Sequence, residues 1–136
     1  MYKPLNSLLI VLAFGLLSAC GGPTVYAVTG SARAPGADGT ITLEDLGGNR
    51  LATVELNNLP PPDRLGNGLT TYIVWFQEQN GSPTKAGSLQ YDPDERSGQM
   101  QATTPSNNRM TIIVTAERNA NAQTPSDVII LRKPVG

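Results

Sequence analysis

The sequence contains no histidine and only one cysteine among its 136 residues. Without histidine it lacks the commonest general base and metal ligand at neutral pH. A single cysteine excludes a disulfide within the chain. Charged residues make up only 15% of the sequence, and they form no clustered basic face of the kind that nucleic-acid binding requires. These absences predict a protein that is not an enzyme, uses no metal or cofactor and binds no nucleic acid.

The remaining polar side chains offer few catalytic candidates. Lys85 and Ser88 are a conceivable serine–lysine pair, but their spacing specifies no such site, and no serine lies in a glycine-flanked nucleophile elbow. Glu44 and Asp45 are adjacent in a predicted strand, so their carboxylates point to opposite faces and are poorly placed for joint acid–base catalysis. The sequence therefore predicts no catalytic residue.

One short segment gathers three carboxylates, at Asp92, Asp94 and Glu95. Calcium prefers such oxygen ligands, but a dedicated site takes six or more of them around a flexible loop. The segment is therefore interpreted as an acidic, solvated turn, with no metal site predicted.

The N-terminal segment has the pattern of an export signal. Lys3 supplies a positive charge, and residues 8–17 form an apolar run that is too short to span a bilayer as a helix. The run ends in Leu17-Ser18-Ala19-Cys20, which resembles the lipobox of a bacterial lipoprotein signal. The resemblance implies cleavage between Ala19 and Cys20 and a diacylglycerol thioether on Cys20, with a further acyl chain such as palmitate on the new N-terminus. The alternative is an ordinary secretory signal followed by an unmodified thiol.

These assignments divide the chain into a signal peptide (1–19), a lipid anchor with a short tether (20–23) and one domain (24–136). Two or more acyl chains hold a protein stably on a membrane. We therefore expect the protein to bind a membrane through the lipid on Cys20. Gly21, where an aspartate would mark retention at the inner membrane, resembles the case sorted to the outer membrane. The expected location is thus the bacterial cell envelope, at the outer membrane and facing the periplasm.

Cleavage would leave 117 residues with nine basic and eleven acidic side chains, enough for one domain with one core. Short segments that alternate between apolar and polar residues recur along this part, and Gly, Pro, Asn and Asp separate them. This pattern predicts β-strands joined by turns. The predicted strands cover residues 24–29, 40–44, 50–57, 69–78, 85–91, 97–103, 110–117 and 127–132, with Pro134 as the end of the last one.

Two segments indicate how the strands are arranged. Pro60, Pro61 and Pro62 cannot continue a hydrogen-bonded ladder, which predicts a stiff crossing between two sheets. The next strand is apolar on both faces near Trp75, the only tryptophan, so Trp75 is predicted to be the packing centre of the core. A second interpretation places Trp75 with Tyr72 on a sugar-stacking platform.

About seven to eight short strands without helical periodicity predict an all-β fold, an antiparallel sandwich of two sheets that is broadly immunoglobulin-like. A closed barrel is the alternative. The sandwich is favoured because the proline crossing suits a change of sheet better than a continuous meander.

A series of short motifs runs through the second half of the chain: Tyr72-Ile73-Val74-Trp75, Gly81, Ala86-Gly87, Leu89, Val114-Thr115-Ala116-Glu117, Pro125-Ser126 and Val128-Ile129. In this order they resemble the extracytoplasmic C-terminal domain of anti-sigma-K factors. The resemblance implies an envelope β-domain and carries no catalytic residue. The chain lacks the family's cytoplasmic sigma-binding segment, and a lipid anchor would replace its transmembrane helix, so sigma-factor binding is not implied.

The sequence leaves three hypotheses about function. The first is a lipid-anchored, non-enzymatic binding or accessory module that engages an envelope protein partner through a sheet edge or a loop face. The second is a structural surface lipoprotein, and the third is a binder of a carbohydrate or other small ligand. Apart from the platform of Trp75 and Tyr72 in the third hypothesis, the ligand-binding residues are unknown at this stage.

Overall fold

The computed structural model describes residues 21–105 and 109–136. The signal peptide and the processing site predicted at Ala19 and Cys20 lie outside the described residues. The described part contains nine β-strands and one 3₁₀ turn, Pro62–Arg64, and no α-helix. The strands are β1 (Thr24–Thr29), β2 (Asp38–Asp45), β3 (Arg50–Asn57), β4 (Thr71–Glu78), β5 (Thr84–Ser88), β6 (Gln90–Asp92), β7 (Ser97–Thr104), β8 (Met110–Glu117) and β9 (Ile129–Val135).

The strands form two antiparallel sheets, which confirms the predicted sandwich and excludes the closed barrel. One sheet has the order β1-β2-β3-β7-β6 and the other the order β5-β4-β8-β9. Strands β2, β3, β7 and β6 occupy the places of A, B, E and D in an immunoglobulin domain, and β4, β8 and β9 those of C, F and G. β5 lies beside C, and β1 extends the first sheet beyond A.

Alternation along the strands builds the core between the sheets. Side chains at every second position of a strand share one face, and these are the apolar ones: Ile41 on β2 and Val54 on β3 face Val74 on β4 and Ile112 on β8, all with no exposed surface. β2 and β3 form an antiparallel hairpin with a turn at residues 46–49. Alternation with period two therefore decided which face of each strand is buried.

The proline segment carries the chain from the first sheet to the second, as predicted. β3 ends at Asn57 in one sheet and β4 begins at Thr71 in the other. Leu59 is fully buried, and its N–H donates a hydrogen bond to the Arg96 carbonyl at 2.9 Å. The crossing is thus fixed to the domain at its start.

The single strand predicted over residues 85–91 is wrong, because the chain changes sheet within it. β5 pairs with β4 and β6 pairs with β7. Leu89 lies between them, with its side chain buried in the core and its N–H bonded to the Tyr72 carbonyl at 2.9 Å. One buried leucine at the corner lets both halves stay paired, a change of direction that alternation alone does not indicate.

The last strand does not end at Pro134, contrary to the prediction. β9 continues through Pro134 to Val135, with Pro134 paired opposite Thr111. β9 is an edge strand, where a proline without an N–H is tolerated when that side of the strand faces away from the ladder.

Candidate functional site

Three loops meet at one end of the sandwich and form what we call the distal face: residues 30–37, 58–70 and 118–128. Ser31 joins the first loop to β9, since its N–H donates to the Ile130 carbonyl at 2.7 Å. Thr70 joins the second loop to the third, since its hydroxyl donates to the Arg118 carbonyl at 2.6 Å. In the distal face the second and third loops are therefore bonded to each other, and the first loop is bonded to β9.

The described chain begins at the opposite end. Thr24 at the start of β1 pairs with Leu43, close to the turn at residues 46–49. β1 then runs for six residues, about 20 Å at the rise of an extended strand, and reaches the distal face at Gly30. The start of β1 at Thr24 and the distal face thus lie at opposite ends of the domain.

Residues 118–128 fold back over the outer face of the second sheet. Beneath them Ile73, Trp75 and Ile113 form a cluster of their own, against which Ala122 and Ile129 pack. Trp75 is fully buried, but it lies outside the space between the sheets, so its prediction as the centre of the main core is wrong. β4 is apolar on both faces, and the sequence pattern does not tell the sandwich face from the face that a loop covers.

A chain of buried hydrogen bonds ties this loop to the sheet. The Trp75 indole N–H donates to the Thr115 hydroxyl at 2.8 Å, and that hydroxyl donates to Glu117 Oε2. The Ser126 backbone N–H donates to the same oxygen at 2.8 Å. Glu117 is only 5% exposed, and no buried side-chain N or O atom of the described residues lacks a partner. The Glu117 carboxylate therefore holds the loop.

The distal face contains a cleft of about 550 Å³. Leu69 and Val128 supply apolar lining, and the exposed side chains of Arg33, Arg118 and Asp127 add charge. Gly68 has φ +79°, and a Cβ there would lie 2.6 Å from Arg118 Nη1. Only glycine lets the Arg118 guanidinium lie against the backbone at this place.

Two tyrosines brace the proline crossing behind this cleft. The Tyr72 hydroxyl donates to the Pro60 carbonyl, and the Tyr91 hydroxyl donates to the Leu59 carbonyl at 2.8 Å. The rings pack edge to face, 5.5 Å apart. Burial raises the pKa of both phenols, so at neutral pH they are protonated donors.

The catalytic candidates of the sequence do not come together. Lys85 is exposed on β5, and its ammonium donates to the Ala120 carbonyl at 2.8 Å. Ser88 lies three residues further, paired with Ile73 where Lys85 is paired with Trp75. Glu44 and Asp45 are both exposed at the end of β2, where consecutive side chains point to opposite faces of the strand.

The acidic segment forms the turn between β6 and β7. Asp92 Oδ1 accepts the backbone N–H groups of Asp94 at 2.9 Å and Glu95 at 3.3 Å. Within residues 21–105 and 109–136, no group of three or more acidic or cysteine side chains is placed to hold a metal ion.

The network of Thr115, Glu117 and Ser126 was not predicted. Thr115 and Glu117 share the outer face of β8 with Ile113, so two polar side chains follow an apolar one on a face that alternation treats as solvated. The signal available in the sequence was a glutamate at the end of a strand opposite the tryptophan strand.

Comparison with known proteins gives no match to a protein-family model, a curated protein or a solved structure. The resemblance to the anti-sigma-K domain stays a prediction. In the described part of the chain, no helix has the length and apolarity that crossing a bilayer demands.

Proposed function

We propose that this chain is a bacterial lipoprotein, anchored to the cell envelope through diacylglycerol on Cys20, with the outer membrane as its expected site. It works without catalysis as a binding or accessory module. Its distal face, formed by residues 30–37, 58–70 and 118–128, engages an envelope protein partner.

One observation carries this proposal: the distal face lies at the end of the domain remote from Thr24. Residues 21–23 would join Cys20 to β1, and three residues reach about 10 Å when extended. An anchor on Cys20 therefore holds the start of β1 near the bilayer. When β1 is perpendicular to the membrane plane, the loops of the distal face point away from the membrane, toward partners in the adjoining space.

The hydrogen bonding of the loops supports a binding role. The third loop is fixed through Glu117 and Ser126 and braced by Lys85, and the second through Tyr72 and Tyr91. A surface that is ordered before binding loses little conformational entropy on association. The cleft beside Arg118 gives a partner side chain a place to enter.

Other features favour a module without catalysis. The chain contains no histidine, and the buried Glu117 carboxylate accepts structural hydrogen bonds. The carbohydrate hypothesis depends on a Trp75 ring that is open to a sugar. The third loop covers this ring, which counts against the hypothesis.

The first experiment tests the anchor by mass spectrometry of the mature N-terminus and by membrane fractionation. We expect a chain that begins at Cys20, carries the added mass of diacylglycerol and fractionates with membranes. Cys20→Ser should give an unprocessed or soluble protein. A membrane-bound and fully processed Cys20→Ser protein would overturn the anchor.

The second experiment tests the distal face by chemical crosslinking in intact envelopes. Arg118→Glu reverses a charge beside the cleft, and Arg132→Glu, on the exposed part of β9, is its matched control. We expect Arg118→Glu to reduce the yield of crosslinked partner at least several-fold and Arg132→Glu to leave it unchanged. Equal yields from both variants would move the partner to another surface.

A further inference from the structure

Four strand edges are available in the two sheets, and three of them carry features that discourage pairing with another chain. β6 has only three residues. β5 is paired through an irregular register and bears Lys85, and β9 contains Lys133 and Pro134. Short length, irregular pairing, charge and proline are the usual means of blocking an edge. β1, with the sequence Thr-Val-Tyr-Ala-Val-Thr, has none of them.

The ladder between β1 and β2 shows which groups of β1 point outward. The Gly30 N–H donates to the Ala37 carbonyl at 2.7 Å, so Gly30 faces β2. Backbone groups alternate along an antiparallel strand, so those of Val25, Ala27 and Thr29 face the open side. Ser31, the next residue of this series, donates its N–H to Ile130 of β9, which confirms the direction.

The residues that carry the outward groups are exposed. Val25 is 60% exposed, and Ala27 and Thr29 are also exposed. None of the three has a backbone hydrogen bond beyond the β1–β2 ladder among residues 21–105 and 109–136. Three N–H and three carbonyl groups are therefore presented in the spacing that an added strand requires.

A cleft of about 470 Å³ adjoins this edge on the core side of β1. Tyr26 contributes its ring from β1, and its hydroxyl accepts the Gly136 N–H at 3.0 Å. Met110, Pro134 and Val135 supply apolar lining, and Glu78 and Arg109 add one charge of each sign. Because side chains of a strand alternate between faces, a strand added to β1 would direct every second side chain toward this cleft.

We propose that the β1 edge receives an extended, uncharged strand of another envelope protein, which becomes the sixth strand of the first sheet. Backbone hydrogen bonds to Val25, Ala27 and Thr29 supply the attachment, and alternate apolar side chains fit the cleft beside Tyr26. β1 carries no charged side chain, and Glu78 and Arg109 give the cleft charges of both signs, so neither sign is favoured in the added strand. The inference rests on the proposed function for the anchor and for the presence of a protein partner.

A second copy of this chain fits the edge less well. A two-fold axis pairs β1 with itself antiparallel, which separates the two Thr24 residues by about 20 Å along the strands. Each Thr24 is four residues from the proposed anchor, a reach of about 13 Å. With β1 upright, the two anchors could not enter one bilayer.

The test is amide hydrogen exchange, measured by NMR on the lipidated full chain in lipid nanodiscs. The probe is an acetylated and amidated six-residue peptide of alternating threonine and valine. We expect saturating peptide to slow exchange at Val25, Ala27 and Thr29 by about tenfold or more. Tyr26 and Val28, whose N–H groups face β2, should change little. A matched peptide with lysine in place of valine should protect none of them.

Variants assign the effect to the edge. Ala27→Pro removes one outward N–H without touching the β2 ladder, and Ala27→Lys places a charge on the edge. Both should abolish protection by the peptide, while Thr103→Lys, exposed on β7 and three strands away from β1, should keep it. Protection of another edge, or none at saturating peptide, overturns the proposal. Protection without peptide that grows with protein concentration would make a second copy the occupant and overturn it too.

This failure is distinguishable from failure of the proposed function. Mass spectrometry of the same samples reports the acyl mass on Cys20, and crosslinking of Arg118→Glu reports the distal face. If the protein is acylated and partner-bound but the peptide does not slow exchange at the β1 amides, only the proposal for the β1 edge is refuted. If the peptide protects the β1 amides of a chain that carries no lipid on Cys20, only the proposed lipid anchor is refuted.

Discussion

Glu117 shows how one side chain can look functional in a list of residues and act structurally in the fold. It is a carboxylate beside a cleft, yet its Oε2 accepts hydrogen bonds from the Thr115 hydroxyl and the Ser126 N–H. Both donors would lose a buried partner without it. The role of this residue is therefore to fix the loop that shapes the distal face.

Replacing this carboxylate tests the role directly. Glu117→Ala leaves the Thr115 hydroxyl and the Ser126 N–H without their acceptor, which we expect to lower the free energy of unfolding by about 1–3 kcal/mol. Glu55→Ala, at an exposed position of β3, is the matched control and should change it by less than about 0.5 kcal/mol. Urea denaturation measures both, and equal losses would contradict the role of Glu117.

Trp75 permits a second test at the same scale. Trp75→Ala removes a fully buried ring and should cost about 3–5 kcal/mol. Since Trp75 is the only tryptophan, its fluorescence reports directly on the cover formed by residues 118–128. We expect weak quenching by acrylamide in the native protein and no change on titration with sugars. Strong quenching, or a loss below about 1 kcal/mol, would place the ring at the surface.

At the scale of elements, packing of one strand on another sets requirements that no single side chain reveals. Gly39 in β2 lies between Val28 of β1 and Leu56 of β3. A Cβ at Gly39 would lie 1.9 Å from the Glu55 carbonyl oxygen, too close to exist without a shift of the backbone. The first sheet is therefore closely packed at this glycine.

We accordingly expect Gly39→Ala to destabilise the domain by about 1–3 kcal/mol or more, as overpacking does. Gly36, in the preceding loop, has no atom within 4 Å of its ideal Cβ, so Gly36→Ala is the control and should be nearly neutral. Thermal unfolding of the two variants decides the matter. Similar midpoints for both would show that β2 and β3 adapt to the added carbon.

The Tyr72 phenol, which donates to the proline crossing, makes the stability of the fold depend on pH in the alkaline range. The pKa of Tyr72 is raised by burial above its ordinary value of 10.0, so the unfolded chain releases the phenol proton first. The contribution of this group to stability is present below about pH 10 and falls as pH rises beyond it. We expect the urea midpoint to decline more steeply between pH 9 and 11 in the natural protein than in Tyr72→Phe. Parallel curves would refute the assignment.

Many of the strands and their buried faces could be predicted from the sequence. The predicted strands over residues 40–44 and 50–57 correspond to β2 and β3. Their buried side chains, Ile41, Leu43, Ala52, Val54 and Leu56, follow the period of two on which the prediction rests. The sheet change at Leu89 and the continuation through Pro134 could not be predicted. Both depend on which strands lie beside the segment, which is a property of the assembled sheets. The packing of residues 118–128 over Trp75 could not be predicted for the same reason.

At the scale of the whole molecule, the direction of β1 decides what the domain can present. β1 runs from the start of the described chain to the distal face, and β2 returns over eight residues, about 25 Å of extended chain. A lipid on Cys20 would bring one end of the sandwich to the bilayer. Orientation on the membrane is then a measurable consequence of topology.

Energy transfer to a lipid dye tests this orientation in vesicles that carry the lipidated protein. Leu46→Cys, in the turn near the start of β1, and Asn67→Cys, on the distal face, are both exposed positions for a fluorescent label. Acylation of Cys20 would leave each introduced cysteine as the only free thiol. We expect clearly higher transfer from position 46 than from position 67. Equal transfer would mean that the sandwich lies flat, with its distal loops turned sideways, and would remove the geometric basis for a face directed away from the membrane.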